Sequence, residues 1–335
     1  MARRRRAAAG DAAFFDRFRA AIARLPAGLI RALPPARPED IARAEAVLGR
    51  PLPADYASFL RSFDGADLFH ESVLIAGVGD GAPRALTLLA QDRPGELVFA
   101  EALSGDRFAI DGVGRVLRYD PGADERAIAG SAFERWLDAT VAREQILFDP
   151  DGEYAPDVFD PEGQEIVPTI ALRQAERALK IDPDAADTEH ARGLALARLG
   201  RREAALAAFR AATELDADNP WPWFDLGRTA LAMNKPAIAL PAFQRAAASV
   251  REAPTAARLL AWAVRAAGAA GDDAAAAALR TEALTRDPQL VDGLSRAATA
   301  PADDIDDDAR AEALALLEAV APGTQPARRL PVLPH

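Results

Sequence analysis

A glycine-spaced run, Gly77-x-Gly79-x-x-Ala82 after the apolar VLIAGV, is the stretch of this 335-residue chain whose spacing comes nearest to phosphate chemistry. A dinucleotide-binding loop of this permissive form needs a helix directly after it, so that the helix N-terminus can hold the pyrophosphate. Here Pro83 follows, and about ten residues later Pro94-Gly95 intervenes. The spacing therefore predicts a flexible loop between strands, and a nucleotide-binding enzyme stays only as a remote alternative. Asp149-x-Asp151-Gly152 and Asp160-x-Glu162-Gly163 open like calcium loops. Neither supplies the spaced oxygens and terminal bidentate glutamate that such a loop requires, so a solvated acidic linker is expected. Glu45 has no carboxylate or histidine partner at close spacing and reads as a surface or capping group. His70 reads as an ordinary loop side chain and Trp136 as core. Asp303–Asp308 reads as a solvated lead into the helix after it, matched to the helix dipole.

Composition closes most other routes to catalysis. Without cysteine there is no disulfide framework, thiolate zinc site, iron–sulfur cluster or thiol nucleophile. Three histidines, His70, His190 and His335, leave little material for a metal site or a Ser-His-Asp triad. No catalytic residue, metal or cofactor is predicted. The net charge of −11 argues against nonspecific nucleic-acid binding, which needs an excess of Lys and Arg, and suits a basic partner. The Arg3–Arg6 run is not followed by an apolar segment, since Asp11, Asp16 and Arg17 interrupt it. Neither an export signal nor a membrane span is expected, and cytoplasmic residence is the default reading.

The residues left for recognition lie in a repeat array. Ala171, Ala205 and Ala239 are 34 apart, as are Phe209 and Phe243 and also Gly193 and Gly227. Ala175 precedes Phe209 by the same interval, and Ala178, Ala212 and Ala246 repeat it again. Small Gly and Ala let paired helices approach closely while Trp223 and Phe209 or Phe243 fill the gaps. An incomplete lead-in pair is expected near 167–184, full repeats at 186–219 and 220–253, and a degraded one at 257–290. That last unit is displaced by three residues and has Arg280 where Phe243 sits. These landmarks resemble tetratricopeptide repeats, each a helix–turn–helix. The resemblance implies a curved groove lined by the first helix of each pair, exposing Trp221, Phe224, Arg228, Arg258, Arg265 and Arg198. Arg228 and Arg265 occupy matching positions on successive repeats, and paired guanidinium groups suit a carboxylate or a phosphate. Trp221 or Phe224 could anchor an apolar side chain. The alternative is that the arginines are solvated and Trp221 packs over the preceding repeat. The Asn/Lys clamp of chaperone-binding repeats is not evident.

The first half reads as a different texture. Phe14, Phe18, Ile22 and Leu25 define an amphipathic helix, then Pro38-Glu39-Asp40 opens a second helix that Gly49 stops. Tyr56, Phe59, Leu60 and Phe63 line a third. Strands are expected at Val73–Val78, Leu86–Leu89, Leu97–Ala102, Arg107–Ile110 and Arg115–Tyr119, joined by hairpin turns. Ser131 with Glu134 reads as a capping box opening a last helix. The run Ile41…Glu45…Leu48-Gly49…Leu52-Pro53…Tyr56…Phe59-Leu60…Asp64-Gly65, with GDRFAIDGVGRVLRYD and SAFERWLDATV, resembles the SUKH superfamily over residues 38–148. Asp64 stands where asparagine is common in that family. The resemblance implies a non-enzymatic binding domain, of the kind found in bacterial toxin-immunity proteins and fungal signalling scaffolds.

The expected fold class is thus an α+β N-terminal domain followed by an all-α helical-repeat domain. The expected boundaries are a basic N-terminus and amphipathic helix at 1–37, the α+β domain at 38–148 and an acidic Pro/Gly linker at 149–166. Repeats follow at 167–298, then a capping helix and loose tail at 299–335. The expected function is a non-enzymatic, cytoplasmic protein-binding adaptor. It is either an immunity-type protein that neutralises a toxin, a basic one by the charge argument, or a regulatory scaffold without a toxin.

Overall fold

A computed structural model describes residues 13–89, 93, 95–121, 126–301 and 304–324; the Arg3–Arg6 run, Asp303 and the Pro-rich tail lie outside the described residues. The chain divides into two compact units, one of Met1–Gly200 with Glu214–Asp216 and one of Arg201–Thr213 with Ala217–His335.

The first unit is built on a seven-stranded antiparallel meander in the order β1 to β7: Ile30–Ala32, Ala66–Leu68, Val73–Ile75, Leu97–Ala102, Arg107–Ile110, Val116–Tyr119 and Arg126–Gly130. Helix α1 (13–22) precedes the sheet, and α2 (Pro38–Leu48) and α3 (Ala54–Ser62) are inserted between β1 and β2. Helix α4 (Leu86–Leu89) follows β3, and α5 (Phe133–Glu144) follows β7. Strands β4 and β5 fall at the expected bounds, β6 begins one residue later than expected, and β3 covers the first half of the expected Val73–Val78. Leu86–Leu89 is not a strand: it is one helical turn with Leu86 and Leu89 buried and Leu88 exposed. An apolar run this short fits either period, and tertiary context decides it. Strands β1, β2 and β7 escape the pattern because the first two are three residues long and the last is rich in Ala and Gly.

An aromatic cluster of Tyr56, Phe59, Phe99, Phe133 and Trp136 binds α3 and α5 to the sheet, with ring centroids 5.0–6.0 Å apart. The Tyr56 hydroxyl donates to the Ala76 carbonyl at 2.6 Å, satisfying the one polar atom of a fully buried ring. Helices α6 (Pro168–Leu179) and α7 (Ala186–Arg198) complete this unit.

The second unit contains most of α8 (Arg202–Leu215), then α9 (Pro220–Ala232), α10 (Pro236–Ser249), α11 (Ala253–Ala269), α12 (Asp273–Arg286), α13 (Leu290–Ala298) and α14 (Asp307–Val320). Helices α9 and α10 pack as a hairpin, α10 continues onto α11, and α11 onto α12. The three-residue displacement has a simple origin: α11 is four residues longer than α9, 17 against 13, while the connector before it, 250–252, is one residue shorter than 216–219. Arg280, at the position of Phe243 one repeat on, donates to the Ala319 carbonyl near the end of α14. The departure from the repeat pattern is therefore used to bind the closing helix.

Close approach of α9 and α10 depends on Gly227. A Cβ there would stand 2.7–2.9 Å from three atoms of the fully buried Phe243 ring. Gly227→Val is expected to destabilise the protein by about 2–3 kcal/mol, read as a lowered urea midpoint with an unchanged slope.

Candidate functional site

The residues that carry the SUKH resemblance are engaged in holding the first unit together. Glu45 accepts the Leu52 amide at 3.0 Å, closing the connector after Gly49, whose φ of 66° ends α2. Asp64 accepts the Val78 amide at 2.7 Å and the Gly79 amide at 3.0 Å. A Cβ at Gly77 or Gly79 would collide with Asp64. The glycines thus let a carboxylate reach the loop amides, and those donors are already occupied. The loop is pinned by Asp64, and the one-turn helix α4 comes after it.

Asp149 and Asp160 close local turns, accepting the amides of Asp151 and Glu153 and of Gln164 and Glu165. Among the described residues no group of three or more His, Asp or Glu is placed to hold a metal ion. The capping box is also corrected. Helix α5 has Ala132 as its N-cap without a side-chain cap, and Ser131 instead donates from its amide and hydroxyl to Asp182, both at 2.7 Å.

That contact belongs to a set sequence reading missed. Strand β7 has a single neighbour, so half its backbone groups face away from the sheet and need other partners. Asp182, after α6, takes the Ser131 amide, and Asp216, after α8, takes the Ile128 amide at 3.1 Å. Both carboxylates are buried and they are 34 residues apart, one repeat. A third link joins Arg118 on β6 to Asp187 on α7 through two hydrogen bonds of 2.9 and 2.8 Å, and to Asp106 at 3.1 Å. Burial pushes the Asp187 carboxyl up, but the hydrogen bonds and charge of Arg118 outweigh it and hold the group below the ordinary aspartate value of 3.8. Its stabilising effect is present above that value and is lost as pH falls through the lowered one. Denaturant unfolding near pH 3 and pH 5 should show a smaller acid-induced loss for Asp187→Asn than for the native chain.

In the second unit the sequence-predicted recognition residues separate into two kinds. Asn219 caps α9 by accepting the Trp221 amide, which fixes the aromatic first turn. Trp221 is 37% exposed, with its ring edge-on to Phe224 at 6.2 Å. Phe224 is half-buried against Phe243 at 6.0 Å and Trp262 at 5.9 Å. Arg228 and Arg265 are brought together on Trp262: their guanidinium carbons stand 5.9 and 5.2 Å from its ring centroid. Arg228 also lies 5.5 Å from the Phe224 ring. Both arginines are exposed, and neither makes an ion pair or hydrogen bond with a described residue.

Arg258 and Arg198 differ. Arg258, two turns before Arg265 on α11, meets Glu312 of α14 at 3.4 Å. Arg198 lies in the first unit, paired with Glu165 at 2.8 Å and reaching the Ile166 carbonyl. Trp223, expected as packing, is half-buried and donates its indole N–H to the Ala217 carbonyl at 3.1 Å.

The residue overlooked is Trp262, 6% exposed, which stacks on Phe243 at 5.5 Å and forms the floor beneath both arginines. Its signal was its place one turn before Arg265 on the same helix face.

Comparison with known proteins finds two family matches within the chain. Residues 35–139 match the SMI1 / KNR4 family (SUKH-1), and residues 190–219 match the tetratricopeptide repeat. The chain carries a SUKH-1 domain followed by tetratricopeptide-repeat helices. Similar solved structures include YrrB, described as a TPR protein with an unusual peptide-binding site, at 20% identity and a TM-score of 0.34 over 47% of this chain and 79% of that one. Another is MamA 41-end from Desulfovibrio magneticus RS-1, at 19% identity and a TM-score of 0.33 over 46% of this chain and 85% of that one. No curated protein matches the chain. No helix among the described residues is long and apolar enough to cross a membrane.

Proposed function

We propose that this protein is a non-enzymatic, cytoplasmic adaptor that recognises a protein partner through the Trp221–Phe224–Arg228–Trp262–Arg265 surface of its second unit. The carrying observation is the pair of exposed arginines on one aromatic floor with no carboxylate partner among the described residues. A guanidinium stacked on an indole keeps its hydrogen-bonding fork free for a carboxylate, and the ring restricts the rotamers that binding must otherwise freeze. Trp221 beside them offers an apolar contact of the kind that anchors interfaces. The non-enzymatic part of the reading is supported by the engagement of Glu45, Asp64 and the glycine loop in structural hydrogen bonds.

In its most specific form the adaptor is an immunity-type protein that binds and blocks a toxin. The SUKH-1 match and the net charge of −11 support this form and favour a basic toxin. The immobilised full chain is expected to retain one partner tightly, in equal stoichiometry, with affinity falling as salt rises. Retention of several weaker partners, none of them toxic when expressed alone, would favour a regulatory scaffold instead.

A further inference from the structure

We propose that a cavity in the first unit is a second recognition site, one that takes a basic side chain, lysine or arginine, from a protein segment. The cavity has a volume of about 630 Å³, within the range of pockets that enclose a small ligand or a large side chain. Strands of the meander, α5 and α7 all contribute to its wall. Its apolar lining includes Val73, Phe108 and Trp136. Leu103 and Leu194, also in the lining, are 77% and 41% exposed and place apolar surface at its mouth.

The charged groups decide the class of occupant. Two arginines and three carboxylates line the cavity, with His190 beside Asp187. Arg143 is paired with Glu144 at 2.9 Å. Arg118 has its Nε and Nη2 on the two oxygens of Asp187 and its Nη1 on Asp106. Arg118 therefore offers an anion no free guanidinium fork, Arg143 gives its Nε to Glu144, and the five charged side chains sum to one negative charge. The carboxylates retain capacity: each oxygen carries two acceptor sites. Among the described residues the second Asp106 oxygen takes the Ser104 hydroxyl alone, at 2.7 Å. A cationic head at Asp106 removes the excess negative charge, and the aliphatic stem of a lysine or arginine lies along the apolar lining.

The site is independent of the arginine–tryptophan groove, so its test isolates it. The probe is acetyl-Leu-Arg-Leu-amide, compared with the same peptide carrying Gln at its centre, titrated into the full chain at low salt and about pH 8, above the ordinary histidine range. The arginine peptide is expected to bind about tenfold more tightly than the glutamine peptide. Asp106→Asn, which leaves the Arg118–Asp187 pair in place, should remove that preference. Leu103→Lys, an exposed substitution that sets a resident cation at the mouth, should weaken the arginine peptide about tenfold even if Asp106→Asn impairs folding. Equal binding of the two peptides, no binding at millimolar concentration, or unchanged binding of the arginine peptide by Leu103→Lys would overturn the proposal.

Discussion

Replacing Asp182 and Asp216 together by alanine is expected to destabilise the protein by about 4 kcal/mol, the largest stability loss anticipated from removing two side chains. The reason lies in what is left behind. The Asp182 carboxylate is inaccessible to solvent and accepts both the amide and the hydroxyl of Ser131, while Asp216 accepts the Ile128 amide. Truncation leaves the Ile128 amide of β7, the Ser131 amide just beyond it and the Ser131 hydroxyl without these acceptors, each costing about 1–3 kcal/mol where water cannot enter. Asp182→Asn keeps one acceptor oxygen and should cost less than Asp182→Ala. Urea unfolding of the full chain measures all three variants. A loss below about 1 kcal/mol for the double variant would show that water replaces the carboxylates and that edge capping is not what they supply. These contacts also make the full chain the right object for binding work. A cut within 149–166 separates β7 from both aspartates.

The second large effect is on recognition. Arg228→Glu with Arg265→Glu is expected to weaken partner binding by about a hundredfold or more, since reversing two charges replaces attraction with repulsion at a carboxylate. The same change should leave the melting temperature nearly unaltered, because both side chains are exposed and have no ion-pair partner among the described residues. Arg198 and Arg258 provide the contrast. Glu165 and Glu312 already neutralise them, so their replacement should change binding less.

Legibility in the sequence followed the length scale of the signal. The 34-residue period exposed the helix hairpins, because Gly227 and Phe243 must recur together for two helices to approach. The apolar runs of β4 and β5 gave those strands their bounds. The three residues of β1 and of β2 carry no readable alternation, and Leu86–Leu89 fits helix and strand equally until neighbours decide. Ser131 and Glu134 have the spacing of a capping box, yet a buried carboxylate 51 residues along the chain competes successfully for Ser131. No local rule contains that competitor. The arginine pair was legible because position within a repeat fixes the helix face. Trp262 was not, because it occupies a face position at which the preceding repeat has Asp225, and so breaks the periodicity that revealed its neighbours.

Quantitative comparison of what the immobilised native chain and the Arg228→Glu, Arg265→Glu variant retain from the same cell extract tests the adaptor reading most directly. One or more proteins are expected to be held by the native chain and by an Arg198→Glu control, and lost from the double variant while its melting curve stays the same. Equal retention by the native chain and the double variant would contradict the adaptor reading.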